Sequence, residues 1–160
     1  MGARRAILQV NRARMLNPLR LMVFLIVVLL GCERAALSEE IRKLTLSGGT
    51  VIEYALVLPE RFDRNYPYPG LLVFPGGSQT MGIVRNALER YRGPEGARRG
   101  FIVISPAAPN GVSFINGSET LIPEFVQHFL ADFRIRGGDF HAGGNSNGGK
   151  SAFCVAILYP

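Results

Sequence analysis

The residues best suited by type and spacing to do chemistry lie in one run, Gly144-Asn145-Ser146-Asn147-Gly148-Gly149-Lys150-Ser151. Two motifs overlap there. Gly144 to Gly148 fit G-x-S-x-G, in which a serine sits on a strained strand-to-helix turn and its hydroxyl is pushed out at the carboxyl end of a sheet as a nucleophile. Small residues two before and two after the serine let strand and helix pass closely. Gly144, Gly148 and the additional Gly149 meet that steric demand. The backbone N–H of Asn147, at the helix start, would donate to the oxyanion of an acyl transfer. The same run from Gly144 to Ser151 also fits G-x-x-x-x-G-K-[ST]; on that reading Lys150 meets β- and γ-phosphates and Ser151 holds magnesium.

The surroundings favour the nucleophile. Phosphate-loop domains place their motif early, with a magnesium-organising Asp on a later apolar strand. Here nine residues follow Ser151, Asp132 falls on a long helix, and Asp139 precedes its strand.

The elements that must position Ser146 follow from hydrophobic patterning. Residues 41–46 and 51–58 are aliphatic or β-branched runs separated by Ser47-Gly48-Gly49, which predicts a hairpin. Residues 59–70 carry Pro-rich turn chemistry and are expected to form a loop. Leu71–Phe74 and Phe101–Ser105 are short and wholly apolar or nearly so, the pattern of strands buried on both faces. A helix is predicted over 80–91, with Met81, Val84, Leu88 and Tyr91 at helical spacing. A loop follows over 106–117, then an amphipathic helix over 121–133. A short strand near Phe140–Gly143 leads into the serine turn, and a helix runs from about Gly149 to Leu158. No internal repeat is visible. A hairpin followed by strand–helix units predicts an α/β sheet with helices on both faces.

A second informative stretch is Leu71-Leu72-Val73-Phe74-Pro75-Gly76-Gly77-Ser78-Gln79-Thr80, where a buried strand runs straight into paired glycines. Backbone N–H groups at such a strand end can reach a nucleophile on a neighbouring strand. GGSQT, GNSNGG and GFIVISPAAPNG (100–111) together resemble the α/β-hydrolase esterases related to polyhydroxybutyrate depolymerase and feruloyl esterase, over roughly Tyr54 to Pro160. The resemblance implies that 41–160 is the N-terminal part of an α/β-hydrolase domain, with the serine turn after the fifth strand. It implies Gly77 as the second oxyanion donor, Gly76 and Ser78 as its loop neighbours, and a carboxylic ester as substrate. Pro75 stands where the family usually has His.

A catalytic serine needs a base and an orienting acid, which in this fold follow it in the order Asp/Glu, then His. No Asp, Glu or His follows Ser146. His128 falls on the polar side of its helix, His141 on the strand entering the turn; neither reads as the base. The expectation is therefore a fragment, truncated after the helix that follows Ser146, silent as it stands and leaving the fifth strand as an apolar edge. Further readings are a serine peptidase on the same fold, the nucleotide binder above, and a non-catalytic envelope binding module.

Charge and cysteines bound the partners. The chain of 160 residues carries +6, but five arginines and no acid lie in residues 1–31, and the remaining 13 basic residues against 12 acidic leave the rest at +1. That distribution excludes a basic nucleic-acid surface. Residues 1–31 have a basic region ending at Arg20 and an apolar run from Leu21 to Leu30, too short to span a bilayer but suited to a secretory signal, with Met15 an equally good start. Leu29-Leu30-Gly31-Cys32 resembles a bacterial lipoprotein processing box, which implies cleavage before Cys32 and lipidation of its thiol. The body would then be exported and tethered at the cell envelope through residues 32–40. Cys154 reads as a small core residue, and Ser118 as a cap for the helix after it. No metal-ligand spacing and no cofactor motif other than the phosphate-loop match is present, and nothing sets an oligomeric state.

Overall fold

The first pairing forms where the chain reverses at Ser47-Gly48-Gly49. Gly49 takes φ +79°, the left-handed conformation this turn requires, and its N–H donates to the Leu46 carbonyl at 2.8 Å. The flanking residues become β1 (Glu39–Thr45) and β2 (Val51–Val57), antiparallel with Thr45 opposite Val51. The computed structural model describes residues 39–160. The leader, Met15, Cys32 and tether residues 32–38 lie outside the described residues, while Glu39 and Glu40 are already in β1.

Three further strands complete the sheet: β3 (Tyr68–Phe74), β4 (Ile102–Pro106) and β5 (Ile135–Gly144). The order is β1-β2-β4-β3-β5, with β2 antiparallel to β4, and β3 parallel to both β4 and β5. Leu72, Val73, Phe74, Ile102, Val103 and Ile104 are each at most 2% exposed, so these strands are covered on both faces as their apolar runs predict.

The covering helices sort by strand alternation. On one face, Ala55, Val57, Val73 and Val103 meet Val84, Leu88 and Ala97. Those three belong to α1 (Met81–Ala87), a π-turn (Leu88–Arg92) and α2 (Gly93–Arg98). On the other face, Ile52, Tyr54, Leu56, Leu72, Phe74, Ile102 and Ile104 meet α3 (Ile122–Asp132) and α4 (Asn147–Leu158). The Tyr54 ring stands edge-on to Phe125 and Phe129, with centroids 5.4 and 5.1 Å away.

Several boundaries differ from expectation for local reasons. β3 starts at Tyr68, inside the predicted loop, because the Tyr68 N–H finds the Arg134 carbonyl at 3.0 Å. The first long helix continues past Gly93-Pro94. The Gly93 N–H reaches back to the Leu88 carbonyl, and Pro94 falls in the first turn of α2, where its missing N–H is harmless. β5 begins five residues early, looping out its excess at Gly137 and Gly138 (φ +77° and +76°). Ser118 does not cap: it opens a 3₁₀ turn (Ser118–Leu121), and its hydroxyl accepts from Asn110 Nδ2 at 3.2 Å. Cys154 is half-buried rather than core, since α4 buries Ser151, Ala152 and Val155 and turns Phe153, Ile157 and Leu158 outward. β5 is an edge of the sheet as expected, but the exposed apolar surface lies on α4 more than on β5. Among the described residues no helix is long and apolar enough to cross a membrane.

Candidate active site

β5 ends at Gly144 and α4 begins at Asn147, so the chain must turn sharply at Asn145 and Ser146. Ser146 takes φ 51°, ψ −122°, a conformation costly for any residue with a Cβ. Its carbonyl accepts the Lys150 N–H at 3.1 Å, the first bond of the helix, and its side chain is exposed. Two glycines permit this turn. A Cβ on Gly144 would overlap the Gly148 carbonyl, and one on Gly148 would overlap the carbonyls of Phe74 and Pro75. Both obstacles are backbone and cannot swing away. Gly149 is different: a Cβ there meets nothing closer than 3.6 Å, so the expected steric demand at that position is absent.

The loop after β3 comes to the same place. A Cβ on Gly76 would lie 2.7 Å from Asn145 Nδ2 and 3.2 Å from the Asn145 carbonyl, which measures how closely the loop passes the turn. Gly77 adopts φ +75° and, like Ser78, is exposed. Among the described residues the N–H groups of Gly77 and Asn147 donate to nothing, as expected for a loop tip and a helix start. The Asn147 side chain ties the two segments together: its Nδ2 donates to the Gly77 carbonyl at 2.9 Å and to the Val112 carbonyl at 3.1 Å.

Beneath this surface lies a buried polar hub that the sequence reading missed. Gln79 is fully buried. Its Nε2 donates to Ser151 Oγ at 3.0 Å and to the Pro75 carbonyl at 3.4 Å, while its Oε1 accepts the Phe114 N–H at 3.2 Å. Its backbone N–H donates to the Val112 carbonyl, and its carbonyl accepts the Ala108 N–H. One side chain thus joins the β3 loop, the 107–114 loop and α4. A glutamine in a loop has no periodicity, so no pattern flags it. Ser151, also fully buried, is occupied by Gln79 and by the Phe114 N–H at 3.3 Å. Its hydroxyl faces the core rather than a ligand, which removes the magnesium-binding role that the phosphate-loop match assigns it.

A cleft of about 400 Å³ opens at this point. Ser146, Asn145, Gly76 and Gly77 form its base, Ile83 and Ala87 an apolar wall, and Asn86 and Arg92 polar positions on α1 and the π-turn. No His, Asp or Glu lines it among the described residues. His128 is on α3, 3.5 Å from Asp132; His141 is exposed on β5 and stands edge-on to Phe101. No cluster of three metal-ligating residues occurs among the described residues.

No protein-family model matches this chain, and no curated protein matches it significantly. Solved structures do. A thermostable esterase superposes with a TM-score of 0.63 at 15% identity, covering 76% of this chain and 38% of its own. An S-formylglutathione hydrolase from Agrobacterium tumefaciens gives 0.60 at 16%, covering 76% and 53%, and a ferulic acid esterase gives 0.58 at 20%, covering 76% and 55%. This chain therefore spans 38–55% of the length of these esterases. Over 76% of the chain, the five-stranded mixed sheet with its flanking helices matches the α/β-hydrolase fold of these esterases.

Proposed function

We propose that this chain carries the nucleophile and oxyanion side of a serine carboxylic-ester hydrolase. The observation that carries the reading is the conformation of Ser146: strained, exposed, and held between two glycines that backbone contacts require. In the reaction, Ser146 Oγ attacks the acyl carbonyl carbon and the carbonyl electron pair moves onto oxygen. That oxyanion accepts hydrogen bonds from the N–H groups of Asn147 and Gly77. Collapse of the tetrahedral species expels the alcohol and leaves an acyl-serine, which water then cleaves. The Asn147 amide, by holding the Gly77 carbonyl, orients one donor segment relative to the other.

The serine proton needs an acceptor, and among the described residues none lines the cleft. The base and its orienting acid are assigned to a part of the protein other than residues 39–160, and the 160 residues by themselves are expected to be silent. The leader pattern and Cys32 support an exported protein, lipid-anchored at the bacterial envelope, whose esters are met there in polymeric or environmental form. The test is a fluorophosphonate probe applied to the protein in its full-length context. Labelling that disappears in Ser146→Ala supports the reading; no labelling, or labelling that survives the substitution, overturns it.

A further inference from the structure

Arg92 lines the Ser146 cleft without a charge partner among the described residues. Among the described residues most other cations have partners: Arg42 pairs with Glu40, Lys43 with Glu53, Arg85 with Glu89, and Arg98 and Arg99 with Glu95. Arg134 and Arg136 donate to backbone carbonyls. Arg61, Arg64, Arg90 and Lys150 lack a carboxylate but are exposed, where water solvates them. Arg92 is half-buried, yet it makes no ion pair or hydrogen bond to any described residue. Partial desolvation without a partner is unfavourable, and a bound anion would relieve it.

Its position is set by backbone geometry. Arg92 is the last residue of the π-turn, closed by the Gly93 N–H on the Leu88 carbonyl, and a Cβ on Gly93 would lie 2.8 Å from that carbonyl. Single π-turns within helices are frequent at functional sites. The guanidinium lies against the bare backbone of Gly143, three residues before Ser146: a Cβ built there would stand 3.5 Å from Nη1. The cleft so formed has a nucleophile at its base, an apolar wall of Ile83 and Ala87, and a cationic fork at one side.

Resting on the esterase reading, we infer that Arg92 is an anion-recognising subsite of the Ser146 cleft, and that the ester cleaved there carries a carboxylate a few bonds from its scissile carbonyl. The planar fork suits bidentate binding of a carboxylate, and the apolar wall suits the short carbon chain between the two groups.

The test pairs an anionic with a neutral ester of similar length, monomethyl succinate and methyl pentanoate, titrated against the chain and followed by backbone amide shifts. The expected result is about tenfold tighter binding of the anion, with shifts centred on Gly76, Gly77 and Ser146. Arg92→Gln abolishes that preference and Arg92→Lys keeps part of it. If Arg92→Gln does not fold, a reduced preference in Arg92→Lys serves in its place. Equal affinities in the unsubstituted chain, an undiminished preference in the variants, or shifts away from the cleft overturn the inference. A second readout separates it from the esterase reading: acylation of Ser146 by p-nitrophenyl hemisuccinate and p-nitrophenyl butyrate in the full-length context. Arg92-dependent binding with no acylation sinks the esterase reading and leaves the anion subsite. Equal acylation by both esters, unchanged in Arg92→Gln, does the reverse.

Discussion

Replacing Gln79 with Ala should unlock three segments at once. The side chain is fully buried, and its amide serves Ser151 Oγ at 3.0 Å, the Pro75 carbonyl at 3.4 Å and the Phe114 N–H at 3.2 Å. The 3.4 Å bond is long and contributes little. The other two are each worth about 1 kcal/mol. Phe114 N–H and Ser151 Oγ still meet at 3.3 Å, so neither becomes a complete orphan, and the larger penalty for an unpaired buried donor does not apply in full. The space left by the amide adds about 1 kcal/mol, because the neighbours of a fully buried side chain relax only partly into it. The sum is about 3 kcal/mol, a large share of the stability of any single domain. In urea titration the midpoint should fall accordingly with an unchanged slope. Ser151→Ala and the double variant complete a cycle, whose coupling should be about 1 kcal/mol, since the two side chains are direct partners. A loss below about 1 kcal/mol for Gln79→Ala would refute the hub, as would additivity within about 0.5 kcal/mol across the cycle.

Three further outcomes follow from the same structure. Gly148→Ala forces a methyl group into two backbone carbonyls and should leave little folded protein, whereas Gly149→Ala meets only ordinary contacts and should stabilise the chain by about 0.5–1 kcal/mol through better helix propensity, read as a higher melting temperature. Similar losses at both positions would contradict the geometry. Ser146→Gly removes the Cβ from the strained turn and should stabilise the chain by about 1 kcal/mol, while Ser146→Ala, which keeps the Cβ, should not; thermal unfolding of both variants decides. Glu39 has a buried carboxylate oxygen without a partner among the described residues, and burial, aided by Glu89, raises its pKa against the opposing pull of Arg85. Its folded pKa lies above the unfolded one, so its contribution is most favourable at low pH and is lost as pH rises through the folded value. Glu39→Gln should therefore raise the melting temperature at pH 7 and change it little at pH 4; an equal change at both would refute the assignment.

Much of the frame was legible because it rests on local rules. The hairpin announced itself by Gly48-Gly49 between apolar runs, and Gly49 indeed needs its positive φ. Leu71–Phe74 and the FIVIS run were readable as doubly covered strands because short apolar runs bounded by Gly and Pro suit a sheet buried on both faces. The readings failed where a tertiary partner overrode local chemistry. Tyr68 joins β3 despite its Pro neighbours because Arg134 offers a carbonyl, and Gly93-Pro94 extends a helical run because Leu88 accepts a π-type bond. Ser118 answers Asn110 instead of capping its own helix.

The same division runs through the site. By itself the sequence determined the fold class and the turn, since G-x-S-x-G between a strand and a helix is a statement about close backbone approach over five residues. It could not choose between Gly148, which the turn requires, and Gly149, which it does not, because that depends on where Phe74 and Pro75 place their carbonyls. Nor could it show that Gln79 bonds Ser151, 72 residues away, or that Arg92 reaches the cleft of Ser146. Those meetings follow from strand order, with β5 laid beside β3. Only the folded sheet brings such distant residues within bonding distance.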